Sequence, residues 1–213
     1  MDVLLFFISM CSGFLPLPFF LILKKELNDQ TKLILPFLVL TFFSSFYELV
    51  FTTFLLVDAA VWFKVYSFLA FFVLMHYFYK LLKGRYPFLY CFFGIVYLAS
   101  FGLIVSEGKI DNFLDGDSYL QVVESVFAIM AIVLWMKNIF ISQGTKSLLK
   151  SPQFYFISGL LFYFSGTFFL FLLGDVILKE GNDEFLANWI FNYIFNLILN
   201  IFLLVGIWKG KVK

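Results

Sequence analysis

Five ionisable side chains interrupt long apolar runs in this chain: Glu48, Lys64, His76, Glu124 and Asp175. A carboxylate held away from water can bind a cation or carry a proton, and a neutral imidazole can relay one. If the runs cross a bilayer, each such group near the centre costs at least about 2.5 kcal/mol. At 1.5 Å per residue, Glu48 lies a few ångströms from the midplane of its run and Glu124 somewhat further toward the same side. Lys64 and Asp175 fall near the ends of their runs, again on that side. Those two could snorkel to headgroups. Glu48 and Glu124 are too deep for that, which leaves a shared polar pocket or structural hydrogen bonds to Ser, Tyr or Asn. His76, the only histidine, sits in the other half beside Tyr77 and Tyr79, as a packing residue or a step in a proton relay.

Asn188, Asn192, Asn196 and Asn200 recur every fourth residue. Such steps drift only about 40° each on an α-helix, so the amides form one stripe about 18 Å long. A stripe of that kind cannot face lipid cheaply. It is either glue between helices, about 1–2 kcal/mol per amide, or the lining of a hydrated space. Glu48, Glu124, Asn192 and Asn196 lie at overlapping depths and form the candidate ligand or ion pocket, with Lys64 or Asp175 near its mouth.

Catalysis is poorly served. Gly174-Asp175 resembles the aspartate motif of intramembrane aspartyl proteases, but Leu172 replaces its first Gly and no Tyr-Asp partner exists. Ser158-Gly159 and Ser165-Gly166 lack the preceding Gly of a rhomboid-type nucleophile and read as a packing seam. Cys11 and Cys91 lie in apolar runs, where a thiol packs as a small hydrophobe, and two Cys with one His cannot complete an all-protein zinc site. No catalytic residue, metal or cofactor is expected, and an intramembrane hydrolase is the residual enzyme reading.

The elements that must position these groups follow from composition. The 213 residues are 62% hydrophobic and 14% charged, with mean hydropathy +0.97. Soluble domains are about 45–50% apolar and about 25% charged. A spanning helix takes about 20 residues, and apolar stretches fall near 3–23, 33–57, 60–82, 88–106, 118–142, 153–178 and 185–208. The expectation is an all-α membrane protein, one domain of seven spans with short connectors. The first run lacks the basic n-region of a signal peptide and reads as span 1. Pro16 and Pro18 should kink or unwind it. A net charge of +1 supplies no basic field for nucleic acid.

Positive charge orients the spans. Lys24, Lys25, Lys32, Lys80, Lys83, Arg85, Lys137, Lys146, Lys150, Lys209, Lys211 and Lys213 lie on one side, twelve of fifteen cations. That side is expected to be cytoplasmic, with the N-terminus outside. Trp62 and Trp189 then start their helices at the outer interface, and Trp135 and Trp208 lie near inner ends, as indoles prefer the headgroup level.

Residues 51–58, FTTFLLVD, and 168–175, FFLFLLGD, agree at five of eight positions, and the spans that follow share W-x3-Y-x-F as Trp62, Tyr66, Phe68 and Trp189, Tyr193, Phe195. Spans 1–3 and 5–7 would then be parallel repeats with span 4 as inverter, a 3+1+3 layout found in several carriers.

The run 151–156, SPQFYF, leading into Gly159, the stretch 163–166 and the Asn-rich last span resemble small seven-span proteins of Bacteroidota-type bacteria. The resemblance covers mainly the last third. It implies a signalling accessory beside a sensor kinase and supplies no catalytic residues. Thirty-four Phe and a single Arg suit A/T-rich codons and a bacterial inner membrane. The leading expectation is a receptor-like or signalling-accessory protein with a pocket in the outer half, in contact with lipid and with a membrane or cytoplasmic signalling partner. The alternative is a small-molecule or ion transporter. A receptor needs polar groups in one half only, a carrier a path through both.

Overall fold

The computed structural model describes residues 2–57, 60–106, 117–142, 148–173 and 182–212. Among them are seven helical segments long and apolar enough to cross a membrane: Leu4–Leu23, Asp29–Phe54, Val61–Leu81, Pro87–Ser106, Tyr119–Ile141, Pro152–Leu172 and Ile190–Lys209. Numbered as spans 1 to 7, they match the seven apolar runs. Large apolar side chains that point away from the bundle, such as Ile22, Phe88, Ile95, Phe140 and Phe169, are each at least 65% exposed. An apolar coat of this kind suits lipid and would be a liability in water.

Spans 1, 2, 3, 5, 6 and 7 close a ring in which each packs on the next and span 7 returns to span 1, while span 4 stands outside against spans 3 and 5. Span 4 is docked by a buried aromatic joint. Tyr97 stacks on Phe71 with ring centroids 3.9 Å apart, and its hydroxyl shares a 2.9 Å hydrogen bond with Ser67. Spans 6 and 7 approach closely because Gly159 faces the Phe202 and Leu199 side chains, Gly166 faces the Phe195 ring and Gly206 faces the Phe156 ring. The Ser-Gly pairs of span 6 thus contribute glycines to a packing seam.

Two spans depart from regular α-helix. Span 1 is two helices, Asp2–Gly13 and Pro16–Leu23, joined by a tightened turn in which the Phe14 and Leu15 N–H groups donate to the Cys11 and Ser12 carbonyls. Pro16 and Pro18 carry no N–H to continue the ladder, so the break expected from the sequence is present. Span 2 was expected to run as a helix to 57. It is α-helical over Leu35–Tyr47 and then π-helical over Glu48–Phe54. The Leu55 N–H reaches back five residues to the Val50 carbonyl, and the Thr53 hydroxyl donates to the Glu48 carbonyl at 3.1 Å. The helix ends at Phe54, and Glu48 and Thr52, four residues apart in it, lie on one face.

At the membrane face where span 7 ends, the Asn28 N–H donates to the Gly210 carbonyl and the Val212 N–H to the Glu26 carbonyl, a short antiparallel pairing of the first connector with the tail. Phe19 stacks on Trp208 and the Lys211 ammonium lies 4.5 Å over the same indole, so the break in span 1 is tied at its far end to span 7.

Candidate functional site

The ring encloses a cavity of about 300 Å³ lined by residues of spans 1, 2, 3, 5, 6 and 7 and by none of span 4. Span 1 contributes Ser9 and Gly13, where the absent Cβ lets Ser45 of span 2 close the wall. Span 2 presents Thr41, Ser45, Glu48 and Thr52, spaced four, three and four residues apart, a stripe along one helical face. Tyr66 comes from span 3, Gln121 and Glu124 from span 5, Tyr163 from span 6, and Asn192, Tyr193, Asn196 and Asn200 from span 7. The lining lies in the half of the bundle where span 1 begins. Toward the other half, Phe20, Ile34, Leu74, Phe156, Leu160 and Leu203 are fully buried in an apolar layer.

Glu48, Glu124, Asn192 and Asn196 therefore share one concavity, although they are far apart in the chain. The Asn stripe divides between the two roles open to it. Asn200 donates from Nδ2 to the Ser12 hydroxyl at 2.9 Å and to the Asn196 Oδ1 at 3.3 Å, and Asn196 donates from Nδ2 to the Ser9 hydroxyl at 3.4 Å. Ser12 in turn donates to the Ser9 carbonyl at 2.6 Å, next to the break in span 1. The deeper pair is thus glue between spans 7 and 1 that also walls the cavity. Asn192, one turn shallower, keeps a buried Oδ1 with no hydrogen-bond partner. The side chain of Asn188 lies outside the described residues.

Two more cavity-lining groups, Glu124 Oε2 and Thr52 Oγ1, are buried and unpartnered within the protein, and Glu124 is only 3% exposed. Each of the three orphan atoms can accept a hydrogen bond. Among the described residues no Lys, Arg or His lines the cavity, while Phe6, Phe63, Tyr66, Tyr163 and Tyr193 do. Two carboxylates with aromatic faces and no countercharge form a site for a group that donates hydrogen bonds and carries positive charge.

Other candidates lie elsewhere. Lys64 is buried, 2% exposed, so it does not snorkel along the lipid face, and it is not part of the cavity lining. Asp175 lies outside the described residues, as does Asp58, its counterpart in the repeat. His76 is exposed on the outside of span 3 and away from the cavity lining, so a relay through the bundle interior does not include it. Cys11 and Cys91 are likewise exposed, not packed. Trp135 is buried within the bundle and does not face headgroups, whereas Trp208 is exposed. Trp62 stacks on Tyr47 at 4.5 Å, and the side chain of Trp189 lies outside the described residues. Among the described residues no three His, Cys, Asp or Glu are grouped as metal ligands.

Sequence reasoning missed Thr52, Tyr66, Gln121 and Tyr163. The polar stripe of span 2 could have been found from its spacing. Tyr66 and Tyr163 could not, since eleven Tyr are spread through an aromatic-rich chain.

Fold and surface together define a multi-pass, all-helical membrane protein with seven candidate spans. No family model, curated protein or solved structure matches the chain.

Proposed function

We propose that this chain is a receptor-like membrane protein that binds a small cationic ligand, an organic amine, in the carboxylate-lined cavity and passes the change in packing to a signalling partner. The observation that carries the reading is the convergence of Glu48, Glu124 and Asn192 on one cavity, with unpartnered acceptors on Thr52, Glu124 and Asn192. A cation seated there supplies the countercharge that the Glu48 and Glu124 carboxyl groups lack in the cavity lining, and the Tyr and Phe rings add cation–π attraction. A volume of about 300 Å³ suits a small organic ion. The apolar packing of Phe20, Ile34, Leu74, Phe156 and Leu203 in the other half favours a one-sided site over a through-path. The charge bias of the connectors supports an N-terminus outside and a C-terminus in the cytoplasm of a bacterial inner membrane, which opens the site to extracytoplasmic ligands. The resemblance of the last third to small seven-span bacterial proteins supports a role as signalling accessory.

A carrier for small cations is the second reading. It is favoured by the break between Gly13 and Pro16 at the deep end of the cavity, since discontinuous helices border the substrate sites of many transporters, and by span 4 standing outside a six-span ring, as a 3+1+3 layout requires.

The test uses the purified chain in nanodiscs, with thermal unfolding followed against a panel of primary and quaternary amines and, as controls, carboxylates of similar size. An amine present at a hundredfold its Kd stabilises by about 2.7 kcal/mol, and Glu124→Gln abolishes the effect. If no amine stabilises the wild-type chain, or the carboxylates do so equally, the reading fails. Accumulation of the stabilising amine in proteoliposomes moves the assignment from receptor to carrier.

A further inference from the structure

A second polar cavity, about 270 Å³, lies at the opposite face of the bundle, where span 3 turns into span 4 and span 6 begins. Its polar lining includes Lys83, Arg85, Asn138, Ser151 and Gln153, against Trp135, with no Asp or Glu among the described residues. A third amide, Gln30, also lines it, and the other two, Asn138 and Gln153, have their oxygen ends occupied. Tyr86 donates its hydroxyl to Asn138 Oδ1 at 3.1 Å, and Ser151 donates its hydroxyl to Gln153 Oε1 at 2.8 Å. What these two amides have left to offer is the NH₂ group. Gln153 is 3% exposed, and its Nε2 is buried with no hydrogen-bond partner, a donor whose burial costs about 1–3 kcal/mol until something accepts from it.

Neighbouring backbone holds the cations in place. Lys83 and Gly84 both take left-handed φ, 54° and 66°, and the Gly84 N–H closes the end of span 3 on the Tyr79 carbonyl at 2.9 Å. This cap fixes the exit of the chain and places Lys83 and Arg85 on the same cavity. Span 6 starts at Pro152 behind Ser151, whose side chain makes no capping bond, so the positive end of a 21-residue helix adds to the field.

From this convergence of donors we propose that the cavity binds a phosphate group at the membrane surface, with Arg85 and Lys83 supplying charge and Gln153 and Asn138 supplying amide hydrogen bonds. Planar guanidinium and amide donors suit tetrahedral phosphate oxygens, and the position at the span ends is that of a lipid phosphate. The group is borne by an anionic lipid headgroup or by a soluble phosphate compound, and both offer the same chemistry to these donors.

The experiment takes the full chain in detergent and follows retention of phosphatidylglycerol and phosphatidylcholine by native mass spectrometry, alongside thermal unfolding with inorganic phosphate. Phosphatidylglycerol retained in preference to phosphatidylcholine, and weakened about tenfold by Arg85→Gln and by Gln153→Leu, supports the lipid source. Stabilisation by inorganic phosphate that is lost in the same variants, with the two lipids retained alike, supports the soluble one. Arg85 is exposed, so its variant stays informative if Gln153→Leu fails to fold. The proposal is overturned if neither probe binds above background, or if Lys25→Gln, on the same face but outside the cavity, weakens binding as much as Arg85→Gln.

Discussion

Asn200 and Ser12 are 188 residues apart in the chain and 2.9 Å apart in the bundle, amide nitrogen to hydroxyl oxygen. The bond fastens the last span to the first, one residue before Gly13 and beside the break of span 1, on the wall of the carboxylate-lined cavity. It replaces the lipid-facing fate that a buried amide at mid-span could not accept.

Ser12→Ala removes the acceptor and leaves Asn200 with only the Asn196 Oδ1. Hydrogen bonds between helices in membranes contribute about 0.6–2 kcal/mol, so the variant should unfold that much more easily, measured by denaturant titration in mixed micelles. Stability equal to wild type would mean that water or a ligand serves Asn200 equally well.

Gly159→Val builds a side chain onto a position where even a Cβ would approach the Phe202 Cβ at 2.7 Å. Overpacking of this kind costs about 1–3 kcal/mol. Loss of thermal stability and faster proteolysis are expected, whereas Gly94→Val on span 4, where an added Cβ meets nothing within 4 Å, should be nearly neutral. Similar behaviour of the two variants would contradict the seam between spans 6 and 7.

Glu48→Gln keeps the shape of the side chain and removes its charge. Binding of an amine in the cavity should weaken by at least tenfold, about 1.4 kcal/mol, while the yield of folded protein is retained. Isothermal titration gives the first quantity and size-exclusion the second. Loss of folded protein with unchanged affinity in what remains would assign Glu48 a structural role instead.

His76→Ala should leave amine binding and stability within about 0.5 kcal/mol of wild type, as for exposed positions generally, because the ring lies outside the bundle. A tenfold loss of binding or transport in that variant would return His76 to the functional path.

Orientation is testable with single cysteines in a background lacking Cys11 and Cys91. Leu56, 85% exposed beyond the end of span 2, should react as Leu56→Cys with an impermeant thiol reagent added to intact cells. Lys25→Cys, exposed in the first connector, should react only after permeabilisation. The reverse pattern would invert the topology and place the carboxylate-lined cavity on the cytoplasmic side.

Burying about 20 apolar residues in hydrocarbon is a property of each segment by itself, and so is the break that two prolines impose on span 1. Both were therefore legible in the sequence, as was the need to keep Glu48, Glu124 and the Asn residues out of lipid. Helical periodicity places a side chain on a face of its own helix but does not say which neighbour that face meets. Only the tertiary structure decided that six spans form a ring with span 4 outside, that the deeper asparagines are bonded to Ser9 and Ser12 while Asn192 stays open, and that Lys64 and His76 take no part in the lining. The π-helical turn at Glu48 belongs to the same class. Its hydrogen bonds reach back five residues, a winding that no side-chain spacing in the sequence announces, so the face on which Glu48 and Thr52 meet the cavity is seen only in the folded chain.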